Sequence, residues 1–388
     1  MASALAAALI AITHVAVIDV RTGNIAENRT VVIQADRIQS VSAQPPPAGA
    51  RIFEGRGKFL IPGLWDMHVH LGGIEADWFP LYIANGIVGL REMASSKERL
   101  RLVKLHKGPP RIYSTTESLD APAIKTPQQA RAAIADLQSR GADFAKVYNG
   151  LSRDAYFALA DECQRRNFPF VGHLPDAISP IEAALAGQRS IEHLDNLLRS
   201  RIPAQAIFEA FKKHGVWQCP TLLVHRPVSP QTDPHLKYVR PDYLPEWKQH
   251  ATRFHDTTFD GIIFERLCAL TAAMQKAGVK FLAGTDTPYP YSIPGFALHD
   301  ELQLLVERAH FSPLESLQTA TIHPNMFFNL KGGVIEKDRP ADLLLLDANP
   351  LTNIKNTQQI NAIFTQGQAV DKTTRQKLLV TVEAAIKR

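Results

Sequence analysis

From Thr13 onward the apolar positions come in short Val- and Ile-rich runs, HVAVIDVRTG, NRTVVIQADRIQSVSAQ and ARIFEGRGKFLIPG, broken by Thr-Gly, Ala-Asp and proline-rich stretches. Such runs with turn residues between them predict strands and hairpins without intervening helices. The same texture returns at the far end, in Gly332-Gly333-Val334-Ile335, Ala341 to Leu346 and Asn361 to Gln368. One small β-sandwich accounts for both stretches, its halves supplied by residues 1–61 and by residues 331–388, the latter ending in a helix.

Between residues 62 and 330 the pattern changes to apolar strands alternating with amphipathic helical periods. The strands expected are Asp66 to His70, Ile87 to Arg91, Arg111 to Thr115, Phe144 to Tyr148, Phe170 to His173, Ser190 to His193, Trp217 to Leu222 and Lys280 to Asp286. Helices between them are announced by Thr126-Pro127, Ser179-Pro180-Ile181-Glu182 and Ser312-Pro313-Leu314-Glu315, an N-cap hydroxyl followed by proline at the first helical position. Stops are expected at Gly141, Gly215 and Gly278. Eight such units in this length predict an α/β fold of the (β/α)8 barrel type. A doubly wound open sheet would need a glycine-rich nucleotide turn, which the chain lacks. The stretch from about His225 to Asp260, rich in proline and aromatics, is too long for a plain connection and predicts an insertion beside the barrel mouth.

Composition narrows the function classes. Of 388 residues 45% are hydrophobic and 21% charged, an ordinary globular mixture. Lysine and arginine outnumber the acids by 43 to 38, but they are scattered, so the excess does not form a nucleic-acid face. Cys163, Cys219 and Cys268 are widely spaced, with no CxxC, and read as buried fillers. The opening MASALAAALIAI lacks a basic n-region and is too short to span a bilayer. It reads as a signal remnant or an added segment and leaves the compartment open. The expected partner is a small molecule, with neither nucleic acid nor membrane involved and homo-oligomerisation open.

In a (β/α)8 barrel the reactive groups sit at the C-terminal strand ends. Those ends carry His68 and His70 on strand one, Lys146 on strand four, His173 on five, His193 on six and Asp286 on eight. His68 and His70 share a face only on an extended chain. Imidazoles and a carboxylate converging on one rim suit zinc or another divalent transition ion with positions left open for water and substrate. Lys146, in an apolar strand beside cations, favours its neutral amine. From chemistry alone it either takes up CO2 to form a bridging carbamate or holds a substrate anion. His14, His106, His214, His235 and His310 are scattered and receive no role.

With these residues in place the chain resembles the amidohydrolase superfamily, in its binuclear imidazolonepropionase-like and Xaa-Pro dipeptidase-like group. The resemblance runs through LIPGLWDMHVHL, ADFAKVYNGLS, FVGHLPDA, SIEHLDN, AGTDTP, LHDEL and GGVIEKDRPADLLLLDANPL. It implies two divalent ions, Zn2+ by preference. His68, His70 and Asp286 would hold the more buried ion, His173 and His193 the more exposed one, with carboxylated Lys146 bridging. It also implies hydrolysis of an amide C–N bond by a bridging hydroxide, with Asp286 as the catalytic proton shuttle.

Specificity is less well encoded. Tyr148, His225, Arg226, Tyr238, Arg240, Tyr289, Tyr291 and His299 are the expected substrate-facing residues, because arginine, histidine or tyrosine can hold a carboxylate. The chain departs from the dipeptidase pattern at Tyr148-Asn149-Gly150, where that group favours a small glycine-rich turn. N-acyl amino acids and aryl-amides therefore stand beside dipeptides. Alternatives are a lactonase or phosphotriesterase on the same metals, a mononuclear cyclic-amide hydrolase or deaminase, and a metal-free binding scaffold.

Overall fold

A computed structural model of the chain describes residues 9–71, 78–227, 233–254 and 258–387. The two chain ends meet in one sheet. Strands β1 (Leu9–Ile18), β2 (Ile25–Gln34), β3 (Arg37–Ser42), β4 (Arg51–Glu54) and β5 (Phe59–Pro62) join three strands from the far end. Those are β14 (Leu343–Leu346), β15 (Ile360–Thr365) and β16 (Gln368–Asp371), and helix Lys372–Ile386 follows them. The sheet is mixed, in the order β16-β15-β14-β5-β1-β2-β3 with β4 on β1. Its seam is the antiparallel pair β5–β14, from Phe59 opposite Leu346 to Pro62 opposite Leu343.

The run of four leucines in β14 follows from its place. Leu343 and Leu345 face the sandwich core with Ile12, Val31, Leu60 and Phe364. Leu344 and Leu346 face the larger core that continues under the barrel. A strand covered on both faces reads as a continuous apolar run.

All eight barrel strands occur at the places the pattern gives, the eighth ending at Phe281 and not at Asp286: β6 (Leu64–Val69), β7 (Ile87–Glu92), β8 (Arg111–Ser114), β9 (Ala145–Val147), β10 (Phe170–Gly172), β11 (Ser190–Glu192), β12 (Trp217–Cys219) and β13 (Lys280–Phe281). They form two parallel runs, β6-β7-β8 and β9-β10-β11-β12-β13. The amide of Asp143 donates to Ser114 O at 2.9 Å between the two runs. On the other side Met67 N donates to Ala283 O at 2.9 Å and Asp286 N to His68 O at 2.8 Å. The second junction lays the end of the eighth strand directly against the His68 strand.

Helix entry follows the caps. Ser179 and Ser312 accept from the third-residue amides of Glu182 and Glu315, and those glutamates reach back. Thr126 forms the same box with Gln129 in place of a glutamate. Each hydroxyl cap stabilises its helix by about 1 kcal/mol.

Three features differ from the sequence pattern. β1 begins at Leu9, before the polar Thr13, because Ile10 and Ile12 enter the sandwich core, while residues 1–8 lie outside the described ones. Gly332 to Ile335 is not a strand. A Cβ on Gly332 or Gly333 would strike Asn325, so this stretch packs as a bend beneath the barrel. The insertion consists of the short helix Leu222–His225, the 3-10 turn Pro234–Tyr238 and helix Leu244–Phe254, while Thr258–Lys276 starts the next long helix. The Trp247 ring lies 5.5 Å from that of Tyr291 and the Tyr243 ring 6.1 Å from that of Trp78, which seats the insertion on the loop after the eighth strand and on the start of helix Phe79–Ala84. The three cysteines are free and buried. Among the described residues no helix is long and apolar enough to cross a membrane.

Candidate metal centre

Period-two alternation along β6 puts Asp66, His68 and His70 on one face. Asp66 accepts from Thr285 Oγ1 at 2.7 Å and from Thr285 N at 3.1 Å, which ties the eighth strand to the first. Gly284 makes the close approach possible, since a Cβ there would meet Cys219 Sγ and the His68 backbone. Asp286 then turns inward with its backbone left-handed at φ 58°, and His193 does the same at φ 66°. Non-glycine residues held in that region cost of order 1–3 kcal/mol each and gather at functional sites.

Asp286 Oδ1 lies 3.1 Å from His68 Nε2 and 2.9 Å from His70 Nε2. The ring of His193 is 4.6 Å from that of His68 and 4.7 Å from that of His173. Ligand atoms of His68, His193 and Asp286 lie within 4.8 Å of one another.

The outer nitrogens set the tautomers. His68 Nδ1 is 3.0 Å from Glu192 Oε2, and His173 Nδ1 is 3.0 Å from Asn149 Oδ1. His193 Nδ1 is 2.8 Å from Thr221 Oγ1, whose own proton goes to Pro220 O at 2.8 Å. Each outer oxygen therefore accepts, each Nδ1 carries the proton, and each Nε2 presents a lone pair to the middle. There His68 Nε2 is buried without a hydrogen-bond partner, 3.1 Å from Asp286 Oδ1. Two acceptors facing each other out of water are costly unless a cation joins them. The donor set of neutral imidazoles and a carboxylate fits a divalent transition ion.

Electrostatics point the same way. Burial, reinforced by Lys146, pushes His173 down to about 2 and lowers His70 as well. Burial also drives His193 well below the ordinary range. Burial opposes ionisation of Asp286, but positive charge at the His68 and His193 side of the centre outweighs it and holds the carboxyl well below its usual value, a charge that neutral imidazoles leave to a bound cation. Lys146, 2% exposed, is lowered by burial, with Asp286 and Glu192 acting against the shift. The centre thus offers neutral imidazoles, a carboxylate and a lysine driven towards its free amine.

Glu192 was not among the expected site residues. Its carboxylate also takes Arg91 Nη2 at 2.8 Å and the hydroxyl of Ser190, while Arg91 Nε donates to Met67 O. Burial raises a lone carboxyl, yet Arg91 and His68 pull this one down to about 2. Cys219 stands within 4.8 Å of His68 and Glu192, but the glutamate is already committed to these partners. The signal in the sequence was a charge within an apolar buried strand, seen twice, in IVGLRE and in SIEH.

The expected substrate-facing residues scatter. Tyr148 does border the cluster, its ring 4.1 Å from His173. His225 Nε2 is 3.1 Å from Asp195 Oδ1, and Asp195 shares a narrow cleft with His173, His193 and Asn149. Tyr289 N donates to Asp286 O at 2.8 Å, so it follows the site directly. Tyr291 is buried against Trp247. Arg226 is paired with Asp300 at 3.0 Å, and Arg240 with Asp242 at 2.8 Å. Tyr238 is buried and stacked on Phe296. His299 is taken out of the mouth altogether. It is buried, with Nδ1 2.9 Å from Thr357 Oγ1 and Nε2 3.0 Å from Asn85 O, and both nitrogens are spent on the fold.

Known proteins share this fold. Ochratoxinase from Aspergillus niger is 23% identical over 380 residues, covering 78% of this chain and 73% of that protein. Its crystal structure superposes with a TM-score of 0.73 at 20% identity over 94% of this chain and 96% of that one. A bottromycin amidohydrolase gives a TM-score of 0.80 at 22% identity, covering 97% of this chain and 90% of that one. A Xaa-Pro dipeptidase with methionine bound in its active site gives 0.75 at 17%, covering 94% and 100%. The amidohydrolase family profile matches residues 148–370. The chain belongs to the amidohydrolase family, hydrolases that act on C–N bonds.

Proposed function

We propose that this protein hydrolyses the amide bond of a small substrate, such as a dipeptide or an N-acyl amino acid, at a two-metal centre. His68, His70 and Asp286 would hold one ion and His173 and His193 the other, with Lys146, once carboxylated, as a further ligand. The observation that carries the reading is the convergence of His68 Nε2 and His70 Nε2 on Asp286 Oδ1, at 3.1 and 2.9 Å, with His68 Nε2 buried and without a hydrogen-bond partner. When bound, a pair of divalent ions, Zn2+ being the best match to imidazole and carboxylate, polarises a carbonyl and lowers the pKa of water.

The chain's own residues do the rest. Asp286, its carboxyl held well below the usual range, would accept the proton lost by the attacking water on the carboxylate oxygen other than Oδ1 and return it to the departing nitrogen. Glu192, Asn149 and Thr221 fix three imidazoles so that Nε2 is always the inward atom. The free amine of Lys146, favoured by burial, is the form whose nitrogen adds CO2, losing one proton to solvent and becoming a carbamate anion with two oxygens. The ring of Tyr148 beside His173 offers a face for an apolar part of the substrate.

The reading is tested by assaying Zn2+-loaded protein against dipeptides, N-acyl amino acids, lactones and aryl phosphotriesters, comparing kcat/KM. Highest turnover on amides, lost in Asp286→Asn, supports it. Preference for lactones or phosphotriesters would replace it with a different hydrolase on the same ligands.

A further inference from the structure

Thr221 orients His193 from a strained backbone. It is fully buried, with φ 46° and ψ 49°, the left-handed region that a β-branched residue rarely enters. In that conformation its hydroxyl accepts from His193 Nδ1 at 2.8 Å and donates to Pro220 O at 2.8 Å. Strain of this kind persists only where the surroundings over-determine the conformation.

The surroundings that do so come from the far side of the eighth strand. Leu222 and Leu223 open the short helix Leu222–His225, and amides in a first helical turn lack an intrahelical acceptor. Glu301, fully buried on helix Phe296–Glu307, takes one amide with each carboxyl oxygen, both at 2.9 Å. Arg226, at the other end of the short helix, pairs with Asp300 of the same long helix at 3.0 Å. The long helix is pinned in turn by His299, at 2.9 Å from Thr357 Oγ1 and 3.0 Å from Asn85 O. The segment from Thr221 to Arg226 is thus docked on a fixed element.

We infer that Glu301 is a positioning residue for the metal centre. By holding the two amides after Thr221 it keeps that residue left-handed, and so keeps the hydroxyl on His193 Nδ1 and Nε2 turned inward. The inference rests on the reading of His193 as a metal ligand.

A double-mutant cycle tests it. Glu301→Gln keeps the shape of the side chain but sets an NH2 donor against one of the two amide donors. Thr221→Val removes the hydroxyl and keeps the branched shape. Competition with a chromophoric chelator measures Zn2+ affinity in wild type, both single variants and the double variant. Each single variant should bind one of its ions about tenfold more weakly. The double variant should bind no more weakly than Thr221→Val, because Glu301 acts through that hydroxyl. Wild-type affinity in either single variant, or losses that multiply in the double, overturns the inference.

A second measurement needs no metal. In metal-free protein carrying 15N-histidine, the proton on His193 Nδ1 is assigned by its loss in His193→Gln. It should exchange with solvent about tenfold faster in Glu301→Gln than in wild type, and equal rates overturn the inference. Should wild type bind no Zn2+, the metal reading fails, while these exchange rates still decide whether Glu301 positions His193.

Discussion

Glu192 Oε2 stands 3.0 Å from Nδ1 of His68, and neither side chain is exposed to solvent. The contact joins the first barrel strand to the sixth and decides which nitrogen of His68 faces the centre. Arg91 keeps the glutamate charged at that depth. A buried carboxylate behind a histidine ligand orients the ring and raises its basicity.

Glu192→Gln should therefore weaken divalent-metal affinity by about 10- to 100-fold, with most of the fold retained. Competition with a chromophoric chelator measures the affinity, and circular dichroism checks the fold. Affinity equal to wild type would show that His68 needs no help from this carboxylate.

Lys146→Ala removes the proposed bridge. The expected outcome is a fall from about two bound ions per chain towards one or none, with amide hydrolysis lost. Elemental analysis of the loaded, desalted protein reads the ratio. A variant that keeps both ions but loses kcat/KM would make Lys146 a substrate-binding cation, and one that keeps both ions and its rate would remove it from the site.

Glu301 supplies a pH dependence away from the metal ligands. It is buried and accepts Leu222 N and Leu223 N, each at 2.9 Å, so it holds the segment that carries Thr221. Burial pushes its carboxyl up to about 8 from 4.5. Between those values the folded protein binds a proton that the unfolded chain has released. Stability should decline as pH rises through that window, by at most about 1.4 kcal/mol per pH unit from this group, and level off above it. Asp66 and Glu92, each raised by burial to about 7, act in the same direction. Denaturant titrations at about pH 5 and about pH 8 should show a smaller difference in Glu301→Gln than in wild type. An identical difference would mean that Glu301 is ionised in the folded state.

Much of this was legible in the chain. Strand period and cap chemistry are local, and so the eight barrel strands and the helix starts at Ser179 and Ser312 could be read directly. His68 and His70 were legible because alternation forces them together, and His173, His193 and Asp286 because each closes an apolar strand. Glu192 and Arg91 carried a weaker signal, a charge within a buried strand, whose meaning depends on the partner across the barrel. The mouth was least legible. His299 looks like a binding residue in LHDEL, but the inward face of helix Phe296–Glu307 carries it into the core. Tyr238 and Arg240 find their partners within the insertion or on the helix beside it, a matter of tertiary packing that no local pattern encodes.

The central claim is that His68, His70, Lys146, His173, His193 and Asp286 form one two-metal hydrolytic centre. The most direct test is to titrate metal-free protein with Zn2+ while following both bound metal and amide hydrolysis. The account predicts activity that rises in step with filling to about two ions per chain and is absent from His68→Ala at every concentration. Full amide hydrolysis in the chelated protein, or saturation at one ion with full rate, would contradict it.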